Sequence, residues 1–370
     1  MAIKKFTSSL IIGLILASGS LFAQTITTPR TPSPAAEVSQ TIGISKVTIN
    51  YSRPAVRERE IWGTSLAHYG YINLGFGSAT AAPWRAGANE NTTITFSDEA
   101  AIEGKSIPAG TYGLFVGLHE DGKADIIFSK NTTSWGSYFY AQEEDQLRIT
   151  VSSTEISHTE RLTYNFVDID KKSALVVLDW EKKRIPFKIS FAVDNIVLAN
   201  ANNQLRNTAG FGWQGPASAA QYCLTNNVNL EQGLAWAEQS IAAQTNFNNL
   251  SLKAQLLAKL NKLTASLATM DIAIKHPTAQ VFQLHGYGRQ LIAQGNKDRA
   301  LEIFKYNHKT NKGAWPTNYG LARGYSAKGD YKNALKYLKI ALTKVPANDK
   351  QNPPVIKANI TKLENGIDIN

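Results

Sequence analysis

The chain has 370 residues, 43% of them hydrophobic and 18% charged, a composition that suits two domains with cores of their own and excludes a wholly disordered protein. Its formal net charge is +10, but the lysines and arginines of the second half are scattered, so they read as a solvated surface and no nucleic-acid role is expected. A single cysteine, Cys223, excludes an intramolecular disulfide and leaves stability to packed cores.

Lys4 and Lys5 precede an apolar run from Leu10 to Leu21, and Ala23 offers a small residue before Gln24, which is the pattern of an export signal over residues 1–23. The run falls short of the roughly 20 apolar residues that a bilayer span needs. The mature chain is therefore expected to be exported, periplasmic or secreted, with no transmembrane segment. Its charge would be about +8, from 37 basic against 29 acidic residues. Residues 24–38, with Pro29, Pro32 and Pro34 among serines and threonines, read as a flexible tether, and order is expected from about Ser39.

Residues 39–194 carry β patterning. Val47, Ile49 and Tyr51 alternate with polar residues, as do Thr92, Ile94 and Phe96; Tyr112 to Leu118 alternates with glycines and Phe115. Further period-two runs stand at 147–151, 162–166 and 187–191, and Gly- and Pro-bearing turns separate them. Eight or nine short strands with close turns predict an antiparallel sandwich or barrel. Residues 195–216, rich in Asn, Gly and Gln, show no sustained period and read as a linker.

From 217 to 365 the period becomes helical. Gly295 to Phe304 recurs 34 residues later as Gly329 to Leu338, and the small residues Gly233, Ser266, Ala300 and Ala334, each followed by Leu, stand 33, 34 and 34 apart. That spacing resembles tetratricopeptide hairpins, with a small residue letting two helices approach. Four pairs fit before Pro346, and Pro354 to Leu363 would cap the array. The fold class is thus multidomain α and β: an N-terminal antiparallel β-sandwich or barrel, then a tetratricopeptide-like α-helical solenoid.

The stretch most apt for chemistry is Trp84-Arg-Ala-Gly-Ala-Asn-Glu90, which runs directly into a strand. With Tyr51-Ser-Arg-Pro54, Arg57, Arg59, Ile107 to Tyr112 and Ser134 to Tyr138 it resembles an exported bacterial family called domain of unknown function 2911. The resemblance covers about residues 39–191 and implies no activity; the Gly- and Ala-rich segment 71–83 departs from the family pattern as an insertion. The candidate binding residues are Arg53, Arg57, Arg59, Trp84, Arg85, Asn89 and Glu90. Strand parity carried back from Phe96 puts Glu90 on the inner face, and parity carried on from Tyr51 puts Arg53 there too. A buried carboxylate needs a partner, so Glu90 is expected to pair with Arg53 or Arg85, either as a structural network or as the lining of a pocket.

Elsewhere the histidines lack ligand spacing, so no metal is expected, and no phosphate loop, dinucleotide fingerprint or Gly-x-Ser-x-Gly elbow calls for a cofactor or a serine nucleophile. Trp135, Tyr138, Phe139 and Tyr140 suit either a sheet edge or a platform for a sugar ring. Two functions follow. The first is a ligand- or protein-binding adaptor of the cell envelope, with a carbohydrate or small anionic ligand at the β domain and a protein partner on the repeats, where Phe282, Tyr287, Trp315 and Tyr319 could line the groove. The alternative is a hydrolase, glycan-directed, with Glu90 as acid or base beside Arg59 or Arg85. Glycoside hydrolysis needs a second carboxylate in the same cleft, and that is the deciding observation.

Overall fold

The computed structural model describes residues 28–29 and 32–370, so the expected export signal and part of the tether lie outside the described residues. The chain divides into two compact units, with the division after Val193.

Among the described residues the first unit is built of ten strands. Its six-stranded sheet contains β1 (Ala35–Ile42), β2 (Ser45–Ser52), β3 (Thr93–Phe96), β6 (Gly110–Leu118), β7 (Lys123–Ser129) and β8 (Asp145–Ser152), side by side in that order. A four-stranded sheet runs β5 (Lys105–Ile107), β4 (Ala100–Ile102), β10 (Ser173–Phe191) and β9 (Thr154–Val167), and every pairing in both sheets is antiparallel. Val47, Ile49 and Tyr51 are buried in alternation, and the register sets Val47 against Phe96 and Ile49 against Ile94, so one apolar face is shared across strands. The two inner faces meet through Tyr51 and Tyr164 (ring centroids 4.9 Å) and Phe128 and Phe187 (5.9 Å). Two sheets face to face make this a β-sandwich and not a barrel.

Two expectations need correction, and the inserted segment 71–83 gains a place. The tether ends sooner than Ser39, because β1 begins at Ala35, whose backbone lies opposite Ser52; pairing with β2 orders residues that carry little apolar pattern of their own. Among the described residues the strand count rises to ten because β1, β4, β5 and β7 add to the period-two runs, and β10 extends back to Ser173. Ala174, Val176, Val177 and Leu178 are all buried there, and a strand covered on both faces loses its alternation. The segment 71–83 covers the sheet: Ala79 and Ala82 pack with Phe115, Ile127 and Tyr140 on the face of the six-stranded sheet that looks away from the sandwich core. Tyr71 anchors it. Its hydroxyl donates to Asp125 (2.8 Å) and accepts from Arg148 (3.1 Å), and burial pushes that hydroxyl well above the usual phenol range.

The second unit holds ten helices. The residues expected to form a linker begin with one, α1 (Val193–Gln204), whose Leu198 and Ala201, followed by Leu205, make a helical stripe against Ala220, Cys223 and Trp236. Its asparagines face outward, which hid the stripe in a composition-based reading. Antiparallel hairpins follow: α2 (Gln214–Asn226) with α3 (Leu230–Ala243), α4 (Phe247–Lys259) with α5 (Leu263–Lys275), α6 (Val281–Ala293) with α7 (Lys297–Thr310), and α8 (Trp315–Ala327) with α9 (Tyr331–Lys344). The arrangement is tetratricopeptide-like, and α10 (Asn352–Glu364) closes it by burying Ile356 and Leu363 with Ala334, Leu338 and Ala341. The small-residue positions do what their spacing implies: a Cβ at Gly233 would stand 2.7 Å from the Cβ of Cys223, and Ala300 and Ala334 are fully buried. No helix among the described residues is long and apolar enough to cross a membrane.

Candidate functional site

Trp84 enters the fold as an extension of the sheet, exchanging two backbone hydrogen bonds of 2.9 Å with Val116 of β6. Its ring is buried and stacks on Trp180 of β10 (5.9 Å, 7°), while Trp62 meets both edge-on at 5.7 and 6.0 Å. Beyond Trp84 the backbone turns twice through left-handed positions, Ala86 (φ 49°) and Asn89 (φ 62°). Such positions cost of order 1 kcal/mol or more for a non-glycine residue and persist only where surroundings hold them. Here the Ala86 carbonyl accepts from Thr92 (3.1 Å) and from the buried Tyr164 hydroxyl (3.0 Å). Arg85 is thereby thrown sideways. Its guanidinium donates to the Asn89 carbonyl (3.3 Å), lies over the Tyr138 ring (5.1 Å), and rests against Gly136, where a Cβ would come within 2.5 Å of it.

The opposing arm follows β2. Arg53 donates to the Leu162 carbonyl (3.1 Å) and to Thr163 (2.6 Å), tying this arm to β9. Arg57 and Glu58 are again left-handed (φ 49° and 58°), with the Arg57 amide held by Glu160 (3.0 Å). Arg59 folds back on its own turn, donating to the carbonyls of Val56 (3.0 Å) and Ala55 (2.6 Å).

Between the arms lies a cavity of about 350 Å³ walled by Arg57, Arg59, Arg85 and Asn89, with Ser33 and Ser65 at its sides and Trp180 below. Among the described residues no carboxylate lines it. Four of the seven candidate residues thus converge. Trp84 does not line the cavity but backs Trp180, and Arg53 is a brace between strands. Trp62 and Trp180 escaped notice in the sequence because they lie far from Trp84 along the chain, and no motif links them.

Glu90 is the main correction. It is exposed and outside the cavity lining, not turned to the inner face. The reason is local: β3 starts at Thr93, and Asn91 and Thr92 are both buried, so the two-residue period breaks before Glu90 is reached. Arg53 departs from its expected row likewise, because its backbone amide bonds to Pro34 and its side chain turns to β9. Glu90→Gln is expected to change stability by less than about 1 kcal/mol, as for an exposed charge. Urea unfolding of the two proteins checks this, and a loss of several kcal/mol would return Glu90 to the core.

Among the other titratable groups, His119 bonds to Asp125 (2.9 Å) and His158 to Glu160 (3.2 Å). The described residues contain no group of three or more His, Cys, Asp or Glu arranged to hold a metal ion.

The two arms, their cavity and the supporting strands coincide with the matched segment of a known family model. Residues 33–189 match the protein of unknown function family DUF2911. The DUF2911 segment therefore contains all seven candidate residues and the whole cavity lining except Pro32. Among solved structures, the chain is similar to YrrB, a tetratricopeptide-repeat protein with an unusual peptide-binding site, at 17% identity, over 46% of this chain and 85% of that one, with a TM-score of 0.31. A tetratricopeptide repeat protein from Parabacteroides merdae matches at 13% identity over 47% of this chain and 65% of its own, with a TM-score of 0.33. The C-terminal part of a repeat protein from Cytophaga hutchinsonii matches at 13% identity over 46% and 70%, with a TM-score of 0.34. No curated protein sequence matches significantly.

Proposed function

We propose that the chain is a binding adaptor: its β unit receives a small anionic ligand between Arg57, Arg59 and Arg85, and its solenoid presents a surface to a protein partner. One observation carries the first half, namely three guanidinium-bearing residues and no carboxylate around a single cavity. Guanidinium groups hold carboxylate, sulfate or phosphate by paired charged hydrogen bonds. The same observation weighs against glycoside hydrolysis, which wants two carboxylates flanking the scissile bond. Glu90 stands outside the lining.

On the solenoid, three of the four aromatic candidates are packing residues, Trp315 resting partly buried against the core of the last repeats. Tyr319 is buried and accepts a hydrogen bond from Asn359 (2.6 Å), and Tyr287 packs against the core of the middle repeats. Phe282 is exposed and meets the partly buried Trp315 edge-on at 6.2 Å, so Phe282 is the better anchor for a partner. The cell envelope as the place of action rests on Lys4, Lys5 and the apolar run after them.

The test of the ligand half is calorimetry with sulfate and with citrate on the full mature chain. Arg57→Ala and Arg85→Ala are each expected to weaken binding by about tenfold or more, the worth of a hydrogen bond to a charged group. Equal affinity in the double variant, or no binding of either anion, ends the proposal. For the solenoid half, Phe282→Ser should remove the proteins that crosslink to the full chain in the envelope, and retention of the same set would exclude that surface.

A further inference from the structure

The large exposed aromatic residues described in the β unit belong to two loops, one of which packs on Arg85 of the arginine cavity. The residues are Phe76 (67% exposed), Trp135 (52%) and Phe139 (43%), and the sequence leaves their loops unconnected. Phe76 belongs to the covering segment 71–83, and the others to the loop between β7 and β8. The loops are bonded to each other, the Ala79 amide donating to the Tyr138 carbonyl at 2.9 Å. Phe76 meets Tyr138 and Phe139 edge-on at 5.6 and 6.1 Å. Tyr140, which the sequence adds to this cluster, is not part of the surface: it is buried, accepts from Arg148 (2.6 Å) and donates to Asp145 (2.9 Å).

Arg85 joins the two features. It walls the cavity, and its guanidinium lies over Tyr138 and against Gly136, next in sequence to Trp135. Apolar rings held open to water beside a basic cavity suit a ligand that carries charge at one point and a ring at another. The geometry favours a puckered sugar ring over a flat aromatic one. Phe76 stands at 80° and 78° to its neighbours, so these pairs offer no parallel faces to clasp a plane. A sugar needs one apolar face only, keeping its hydroxyls in water or on Ser33, Ser65 and Asn89 of the cavity.

We propose that the β unit binds acidic oligosaccharides, with a carboxylate or sulfate group in the cavity of Arg57, Arg59 and Arg85 and an adjoining sugar ring on the shelf of Phe76, Trp135 and Phe139. This rests on the anion-binding reading above and adds the ring subsite to it.

The test is titration of the full mature chain, followed by calorimetry and tryptophan fluorescence, with oligogalacturonate, a heparin-derived tetrasaccharide, neutral maltotetraose and inorganic sulfate. An acidic oligosaccharide should bind at least tenfold more tightly than sulfate, and maltotetraose more weakly than either acidic one. Trp135→Ala with Phe139→Ala, both exposed and free of core packing, should weaken the oligosaccharide by roughly two- to twelvefold per ring and leave sulfate unchanged. Should the double variant bind the oligosaccharide as the parent does, or maltotetraose bind as well as the acidic chains, or both acidic chains bind no better than sulfate, the ring subsite falls while anion binding stands. Failure of sulfate and of both acidic oligosaccharides to bind overturns both.

Discussion

Trp180→Ala should lower the stability of the β unit by about 3–5 kcal/mol, the range for removing a large aromatic side chain from a core. Trp180 is 1% exposed, stacked on Trp84 and met edge-on by Trp62, so its loss leaves a void that two indole rings cannot close without moving. It is also the floor of the arginine cavity, and Trp84 behind it carries the turn that aims Arg85. The variant should therefore lose anion affinity as well as stability. Hydrogen exchange of the β10 amides under native conditions measures the first effect and sulfate titration the second. Trp180→Phe, which keeps a ring in place, should recover much of the stability. An unchanged exchange rate in Trp180→Ala would mean that the three-indole cluster does not hold the sheets together.

Acid should weaken the solenoid through His285. Its ring lies between Phe304 (5.7 Å) and Tyr319 (6.0 Å), its Nδ1 is 3.1 Å from the Pro316 carbonyl, and burial together with the nearby Arg323 and Arg289 charges lowers its pKa to about 4 from an ordinary 6.5. The folded-state value is depressed, so the folded chain resists a proton that the unfolded chain accepts. Above pH 6.5 both hold a neutral ring and stability is intact. Between pH 6.5 and about 4 it declines, by up to about 3 kcal/mol in total, and below about 4 this group contributes no further slope. Urea unfolding followed by the helical circular dichroism signal, at intervals from pH 7 to 4, should show a decline that His285→Gln removes. Gln keeps a donor for the Pro316 carbonyl but has no proton to gain. Parallel slopes in the two proteins would move the acid sensitivity to other groups.

Much of the architecture was legible because it is written in local periods. A two-residue alternation over Val47 to Tyr51 has one way to bury its apolar side, and a recurrence every 34 residues from Gly295 to Gly329 fixes a helix pair and its neighbour. The close approach of α3 to α2 was readable from Gly233 alone, since a larger residue there would strike Cys223. At the cavity, Arg85 and Asn89 were marked out by the polar turn that follows Trp84, and Arg57 and Arg59 by the family motifs they belong to.

What escaped the sequence depends on partners that are distant along the chain. Parity could not say where β3 begins, because that is set by the loop of Ala86 being tied to Thr92 and Tyr164, and so Glu90 was turned the wrong way. Polar asparagines masked α1, whose helical form is secured by Leu198 and Leu205 packing on α2 and α3. Phe76 came to stand beside Tyr138 and Phe139 only because segment 71–83 covers Phe115 and Ile127. Local patterning thus determined the two kinds of fold and most of the basic residues at the cavity. Tertiary packing decided which side chains share that cavity and which aromatic rings stay in water beside it, because hydrogen bonds and buried contacts between remote segments, and not the period of any one segment, orient a turn.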